Sequence, residues 1–224
     1  MKSASLLVPL LFTLAFSGSG FASGSLELIP TPSFRILEGI RIPVVTFPDG
    51  NRVVRWQPPS NWQLSGEGNR IMLYPQTPPQ AAMEIRLAAP RSASAPETGS
   101  TPEALVKWAA AFLPQDAAKV RFDHESPSPF LLEGRPSREH TFEYILGTLR
   151  FTTSIAVVLL DEAQALIMIA SARSEDFPGV YREATKSMFR WGWNKERALP
   201  PTAEGERAQT AAAIASPMPR VPTR

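Results

Sequence analysis

The sequence predicts an α+β fold in which an antiparallel β-sheet packs against helices. Between residues 44 and 172, short segments alternate apolar and polar residues or run apolar, which is typical of strands. Two other segments repeat apolar residues every three or four positions, which is typical of amphipathic helices. The connections between the strand segments are short, and this favours antiparallel pairing because parallel neighbours need a long crossover.

The first predicted strand pair is a tight hairpin. Residues 44–47 and 52–56 are rich in valine and aromatic residues, and Pro48-Asp-Gly-Asn51 separates them. Asp-Gly supplies the positive φ that tight turns require. A short strand follows over Ile71–Tyr74. The next strand is expected to bury one face and solvate the other, because Met83, Ile85 and Leu87 alternate with Glu84 and Arg86.

Two helices are predicted. After a flexible loop over Ala89–Ser100, Ser100-Thr-Pro-Glu103 begins a helix with a capping hydroxyl, an early proline and an acidic first turn. Pro114 is expected to end it. Its apolar stripe, which should pack on the sheet, comprises Leu105, Trp108, Ala109 and Phe112. The second helix begins near Glu175, with an apolar face formed by Phe177, Tyr181, Ala184 and Met188.

The second half of the chain predicts an antiparallel meander. Turns are expected at Gly147 and at Asp161–Gln164. The four strands are Lys119–His124, Arg138–Leu146, Thr148–Leu159 and Ala165–Ala172. Arg190-Trp-Gly-Trp193 then closes the domain.

This order of motifs resembles the PsbP/DcrB-like family. Pro58-Pro-Ser-Asn-Trp62 precedes a strand and a polar turn, a long helix begins near residue 102, and Ser174-Glu-Asp-Phe177 introduces the last helix after a meander. The resemblance spans Val53 to Trp193. It implies a small exported or organellar α/β/α domain with an antiparallel sheet sandwiched between helices, serving as an accessory subunit of a larger complex. It implies no catalytic residues.

The first 22 residues have the layout of a secretory signal peptide. Lys2 precedes an apolar core over Leu6–Phe16, and small residues lead to a cleavage site after Ala22. The signal predicts a periplasmic or secreted protein with no stable membrane span after cleavage. An uncleaved anchor is the alternative, although the core is shorter than the ~20 apolar residues of a bilayer span and contains Pro9.

Residues 195–224 are predicted to form a disordered tail. They contain five prolines and seven alanines and almost no large apolar residues. Such a segment cannot bury enough apolar surface to offset the entropy that is lost when a chain becomes ordered. Its five basic and three acidic residues are compatible with a plain solvated terminus, and the alternative is a segment that contacts the cell wall or anionic lipid. The predicted organisation is a signal peptide (1–22), an N-terminal extension and hairpin (23–52), a sandwich domain (53–194) and the tail.

The composition excludes several kinds of site. The chain has no cysteine, which excludes disulfides, thiolate nucleophiles and cysteine-ligated metals. Its 23 basic and 21 acidic residues give a net charge of +2, which does not suggest nucleic-acid binding. No phosphate-binding glycine motif occurs, and the part after residue 22 has no serine nucleophile elbow. We therefore expect no cofactor.

The only two histidines, His124 and His140, are the candidates for metal or acid–base chemistry. Strand phase places them with Phe122 and Phe142 on the apolar side, and places the neighbouring carboxylates on the other side. We therefore expect both histidines to be structural, with no metal site and no catalysis. The alternative is that they meet across paired strands, with a loop carboxylate, in a metal-dependent or hydrolytic envelope enzyme.

The aromatic and basic residues favour binding over catalysis. Trp62, Trp191 and Trp193 are expected to anchor loops onto the sheet, with an exposed recognition platform as the alternative. Four arginines near the amino end either protect a sheet edge or face a partner: Arg35, Arg41, Arg52 and Arg55. The sequence thus predicts a non-catalytic exported accessory or binding module of the cell envelope, with a protein partner.

Overall fold

The computed structural model describes residues 26–94, 100–129, 132–135 and 137–194. The predicted signal peptide and tail lie outside these residues. The strands and helices are β1 Thr31–Leu37, β2 Ile40–Asp49, β3 Arg52–Trp56, β4 Trp62–Glu67, β5 Arg70–Pro75, β6 Ala82–Ala88, α1 Pro90–Ala93, α2 Pro102–Ala109, β7 Ala118–Pro127, β8 Arg138–Leu146, β9 Leu149–Leu159, β10 Ala165–Arg173, α3 Phe177–Met188 and β11 Gly192–Asn194.

The strands form two antiparallel sheets. The large sheet has seven strands in the order β4-β5-β6-β10-β9-β8-β7, and the small sheet has four in the order β1-β2-β3-β11. The predicted β7–β10 meander is confirmed, with Gly147 in the turn between β8 and β9 at a φ of 63°. The hairpin of β2 and β3 is also confirmed, with Asp49 opposite Arg52. Antiparallel sheets with helices make this an α+β fold.

The two main clusters of apolar side chains lie on opposite faces of the large sheet. Leu166, Met168 and Ala170 of β10 belong to the cluster that contains α3 and the small sheet. Ile167 and Ile169 belong to the cluster that contains α2. Alternate residues of a strand point to opposite faces, and we call the face that carries the cluster with α2 residues the α2 face.

Aromatic side chains join the small sheet to α3 and to the segment that follows it. The ring of Trp191 lies 5.3 Å from that of Phe47 and 5.7 Å from that of Trp56, measured between centroids. The Trp56 indole also donates a hydrogen bond of 3.1 Å to the Ser187 carbonyl on α3. β11 follows Trp191 and pairs with β3. The division predicted between residues 52 and 53 therefore falls inside a strand of the small sheet.

The helices begin as predicted but differ in extent. The Thr101 hydroxyl accepts a hydrogen bond from the Ala104 amide, as expected of a helix cap. However, α2 ends at Ala109 and not at Pro114, because the Ala111 and Phe112 amides donate to carbonyls only three residues back. These bonds tighten the chain into a turn. The predicted loop from Ala89 contains the short helix α1, in which the Ser94 hydroxyl donates to the Pro90 carbonyl.

The predicted solvated face of β6 is wrong. Glu84 is buried, and Arg86 is largely covered because the turn after α2 crosses it. The Arg86 guanidinium lies 4.5 Å from the centre of the Phe112 ring and donates to the Ala111 carbonyl. Within the described residues, none of the helices combines the length and the apolar character that crossing a membrane requires.

Candidate functional site

A bulge in β7 separates the two histidines. Phe122 lies opposite Phe142, but His124 lies opposite Thr141, so β7 has one more residue than β8 at this point. The extra residue reverses the alternation of β7. The prediction that both histidines face the apolar side is therefore wrong for His124, which is exposed, and right for His140, which is buried.

The bulge also brings Glu125 opposite His140. The prediction that the neighbouring carboxylates face away is therefore wrong for Glu125, whose Oε2 lies 3.8 Å from Nε2 of His140. That distance is too long for a hydrogen bond. Glu125 instead pairs with Arg138 at 2.5 Å.

His140 is packed among aromatic rings. Its ring lies 5.2 Å from that of Trp108 on α2 and 6.4 Å from that of Phe122, measured between centroids. Burial lowers the pKa of His140, and the Arg138 cation lowers it further, against the opposing effect of Glu125. His140 is therefore neutral at pH 7. Among the described residues, no group of three or more histidine, aspartate or glutamate side chains is placed to hold a metal ion.

Glu139 faces the opposite side of β8, as predicted, and bonds to α3. It is buried and accepts a hydrogen bond of 2.9 Å from the Tyr181 hydroxyl. Burial raises the pKa of Glu139, against the opposing effect of its hydrogen bonds. Burial and the adjacent Glu139 raise the pKa of Tyr181 to about 12. This pair could not be predicted from the sequence, because the spacing of Tyr181 indicates only a helix residue that faces the core.

The most conspicuous exposed feature is the hairpin arm, which we define as residues 31–43. All seven residues of β1 are exposed. Four large apolar side chains of the arm are about half exposed or more: Phe34 at 48%, Ile36 at 66%, Leu37 at 53% and Ile40 at 66%. Elsewhere in the described chain, the exposed large apolar residues are Ile29, Tyr74, Leu159 and Phe189. They do not share one strand pair, whereas the arm residues do.

Both faces of the arm carry apolar side chains. Cross-strand pairing places Phe34 and Ile36 on one face, and Leu37 with Ile40 on the other. The Arg41 guanidinium lies 4.0 Å from the centre of the Phe34 ring. Of the other arginines near the amino end, Arg52 pairs with Asp49 and Glu133 at 2.7 and 3.1 Å.

A groove of about 390 Å³ lies on the α2 face of the large sheet. Its wall is the turn that follows α2, and its floor spans β5, β6, β8, β9 and β10. Three charged residues line one part of it: Arg70, Glu84 and Arg86. Aromatic and aliphatic side chains line another: Met72, Phe112, Tyr144, Phe151 and Ile169. This groove could not be predicted from the sequence, because its residues come from six separate segments.

No protein-family model matches the chain, and no curated protein matches it in sequence. Similar solved structures include LpqN of Mycobacterium tuberculosis, involved in cell envelope biogenesis, at 12% identity over 74% of this chain and 90% of that one (TM-score 0.38). The yeast (Saccharomyces cerevisiae) Ran-binding protein Mog1p is 8% identical over 74% and 95% (TM-score 0.40). PsbP (CyanoP) of Synechocystis sp. PCC 6803 is 8% identical over 62% and 85% (TM-score 0.38). The similar structures thus include a PsbP, from the family that the sequence resembles.

Proposed function

We propose that this protein is a non-catalytic binding module of the cell envelope that contacts a protein partner through the hairpin arm. The observation that supports the proposal is the group of four exposed apolar side chains on β1 and the start of β2. Clustered exposed apolar side chains mark interaction sites, because a monomer gains nothing from leaving them in water. β1 is also an edge strand, whose free backbone groups suit pairing with a strand of the partner.

The positions of the histidines support a non-catalytic role. An enzyme built on His124 and His140 needs both imidazoles at one centre, but the β7 bulge leaves one exposed and the other buried under Trp108. A neutral histidine packed among aromatic rings cannot exchange protons with a substrate that does not reach it.

We further propose that the protein is exported, with a signal peptide cleaved after Ala22, and that α2 and α3 sandwich the large sheet. Lys2 and the apolar core over Leu6–Phe16 support the first proposal. The alternation of β10 residues between the two apolar clusters supports the second. N-terminal sequencing of the abundant cellular form should return Ser23, and a sequence that begins at Met1 would contradict export with cleavage.

Photo-crosslinking in the native envelope tests the arm. A photoreactive amino acid is placed at Ile36 or Ile40, and at Leu159 or Phe189 as matched controls, which are exposed apolar positions outside the arm. We expect one discrete protein adduct from both arm positions and none from the controls. The double substitution of Phe34 and Leu37 by serine should reduce that adduct. Equal adducts at arm and control positions, adducts with lipid alone, or no adduct would refute the proposal.

A further inference from the structure

The groove on the α2 face contains Arg86, whose positive charge is only partly neutralised by a nearby carboxylate. Arg70 binds Glu84 through two contacts of 2.9 Å, one to each carboxylate oxygen. Arg86 reaches the same carboxylate only at 3.6 Å. Two cations therefore share one anion, and Arg70 holds it at the shorter distance.

The remaining contacts of Arg86 do not neutralise its charge. It donates to the Ala111 carbonyl at 3.3 Å and lies over the Phe112 ring. Its Nε is buried and has no hydrogen-bond partner among the described residues. Burial lowers the pKa of Arg86, and Arg70 lowers it further, although Glu84 opposes them. A half-buried cation with this shortage of partners gains free energy from a second anion nearby.

The rest of the groove offers an apolar surface beside this charge. The rings of Tyr144 and Phe151 stack with 5.6 Å between centroids, and both residues are buried. Met72 and Ile169 extend that surface on the neighbouring strands. On the same floor, the Ser171 hydroxyl bonds to the Thr153 hydroxyl. The groove thus combines one excess positive charge with an apolar floor.

We propose that this groove binds a small organic carboxylate, with the carboxylate against Arg86 and the apolar body over Tyr144 and Phe151. A guanidinium matches a carboxylate in shape and charge. A monoanion is favoured over a phosphate dianion, because Glu84 remains in the groove and repels a second negative charge. The volume of about 390 Å³ is at the small end of the range of ligand pockets. The site lies on the large sheet, apart from the hairpin arm.

Titration of the purified full chain with three probes of equal chain length tests the proposal: octanoate, octylamine and octanol. Binding is followed by two-dimensional NMR at the amides of residues 84–86 and 111–112. We expect saturable shifts with octanoate, half-complete below about 1 mM. Octylamine should bind at least tenfold more weakly, because its ammonium meets Arg86 and Arg70. The affinity for octanol should lie between those for octanoate and octylamine.

Variants locate the binding. Arg86→Gln and Ala82→Leu should each weaken octanoate binding at least tenfold, the first by removing the cation and the second by filling the floor. Arg121→Gln, which removes an exposed arginine on β7, should leave binding unchanged. If Arg86→Gln does not fold, the binding measured for Ala82→Leu tests the proposal, because that variant retains both arginines. Equal binding of octanoate and octylamine, no saturation with octanoate, or equal loss in Arg121→Gln would overturn the proposal.

Discussion

At the scale of single residues, burial shifts the pKa values of two adjacent side chains of β8 in opposite directions. Glu139 and His140 face opposite sides of the strand, and burial raises the pKa of the acid while it lowers that of the base. Burial disfavours the charged form of either group. Glu139 contacts Tyr181 on one side of the strand, and His140 contacts Trp108 on the other.

The buried carboxyl of Glu139 makes stability depend on pH. Because its pKa is raised in the folded state, the stability it contributes is full below the unfolded pKa of about 4.3 and is lost as pH rises through the folded pKa. Glu139→Gln keeps an oxygen that accepts from Tyr181 but cannot ionise. Relative to wild type, we therefore expect Glu139→Gln to have a higher free energy of unfolding at pH 7 than at pH 4, that is, to be relatively more stable at pH 7. Urea titrations at both pH values measure this, with the exposed Glu162→Gln as control. An equal difference at both pH values would show that Glu139 is not a burial-shifted acid.

The two histidines should respond differently to substitution by glutamine. His140→Gln loses packing against Trp108 and Phe122, and we expect a cost of about 1 to 2 kcal/mol at pH 7. The lowered pKa of His140 means that wild-type stability is lost as pH falls below about 6.5 toward the folded pKa, so the deficit should shrink at pH 5. His124→Gln should change stability by less than about 0.5 kcal/mol. Urea titrations at pH 5 and 7 measure both variants, and a costly His124→Gln would contradict its exposed position.

Strand phase predicted the environment of His140 but not that of His124. Phase arguments assume unbroken pairing, and the β7 bulge between Phe122 and His124 breaks it. Nothing in Arg-Phe-Asp-His-Glu signals that extra residue, because a bulge is set by how the partner strand packs. For the same reason the contact between Glu125 and His140 could not be predicted from neighbouring positions in the chain.

At the scale of elements, the hairpin arm should contribute to binding and not to stability. Phe34 and Ile36 are about half exposed or more, so their replacement by serine together should change the free energy of unfolding by at most about 1 kcal/mol. Phe47 lies further along β2, in the same hairpin, but is fully buried, and Phe47→Ala should cost about 3 to 5 kcal/mol. Urea denaturation of both variants measures the contrast. A large loss in the arm variant would mean that the arm packs against the rest of the chain.

Elements with a strong periodic pattern were predictable, and those defined by pairing were not. Arg138–Leu146 coincides with β8, and Phe177–Met188 follows the predicted stripe of α3. By contrast, β1 contains a proline and has no buried face. Its residues therefore show no sustained alternation of apolar and polar side chains that would indicate a strand. β11 has three residues and exists because it pairs with β3. Tertiary contacts, absent from a local pattern, decide such strands.

At the scale of the whole molecule, the fold depends on the chain's last described residues. The small sheet is built from residues near the amino end, yet its fourth strand is β11. Trp191 packs against both Phe47 and Trp56, and the Trp193 indole donates a hydrogen bond of 2.7 Å to Asp49. The segment after α3 therefore contacts strands that lie more than 130 residues earlier in the chain.

A pair of truncations separates this segment from the predicted tail. Deletion of residues 195–224 should change the melting temperature by less than about 5 °C, because a proline- and alanine-rich stretch has little apolar surface to bury. Deletion of residues 191–224 removes two indole side chains and a strand. It should lower the melting temperature by about 10 °C or more, since losing one buried tryptophan alone costs about 3 to 5 kcal/mol. Calorimetry of both proteins, with Trp191→Ala as the point substitution, measures the difference. A large drop from the shorter deletion would show that the tail docks, and an unchanged Trp191→Ala would show that the aromatic cluster does not secure the small sheet.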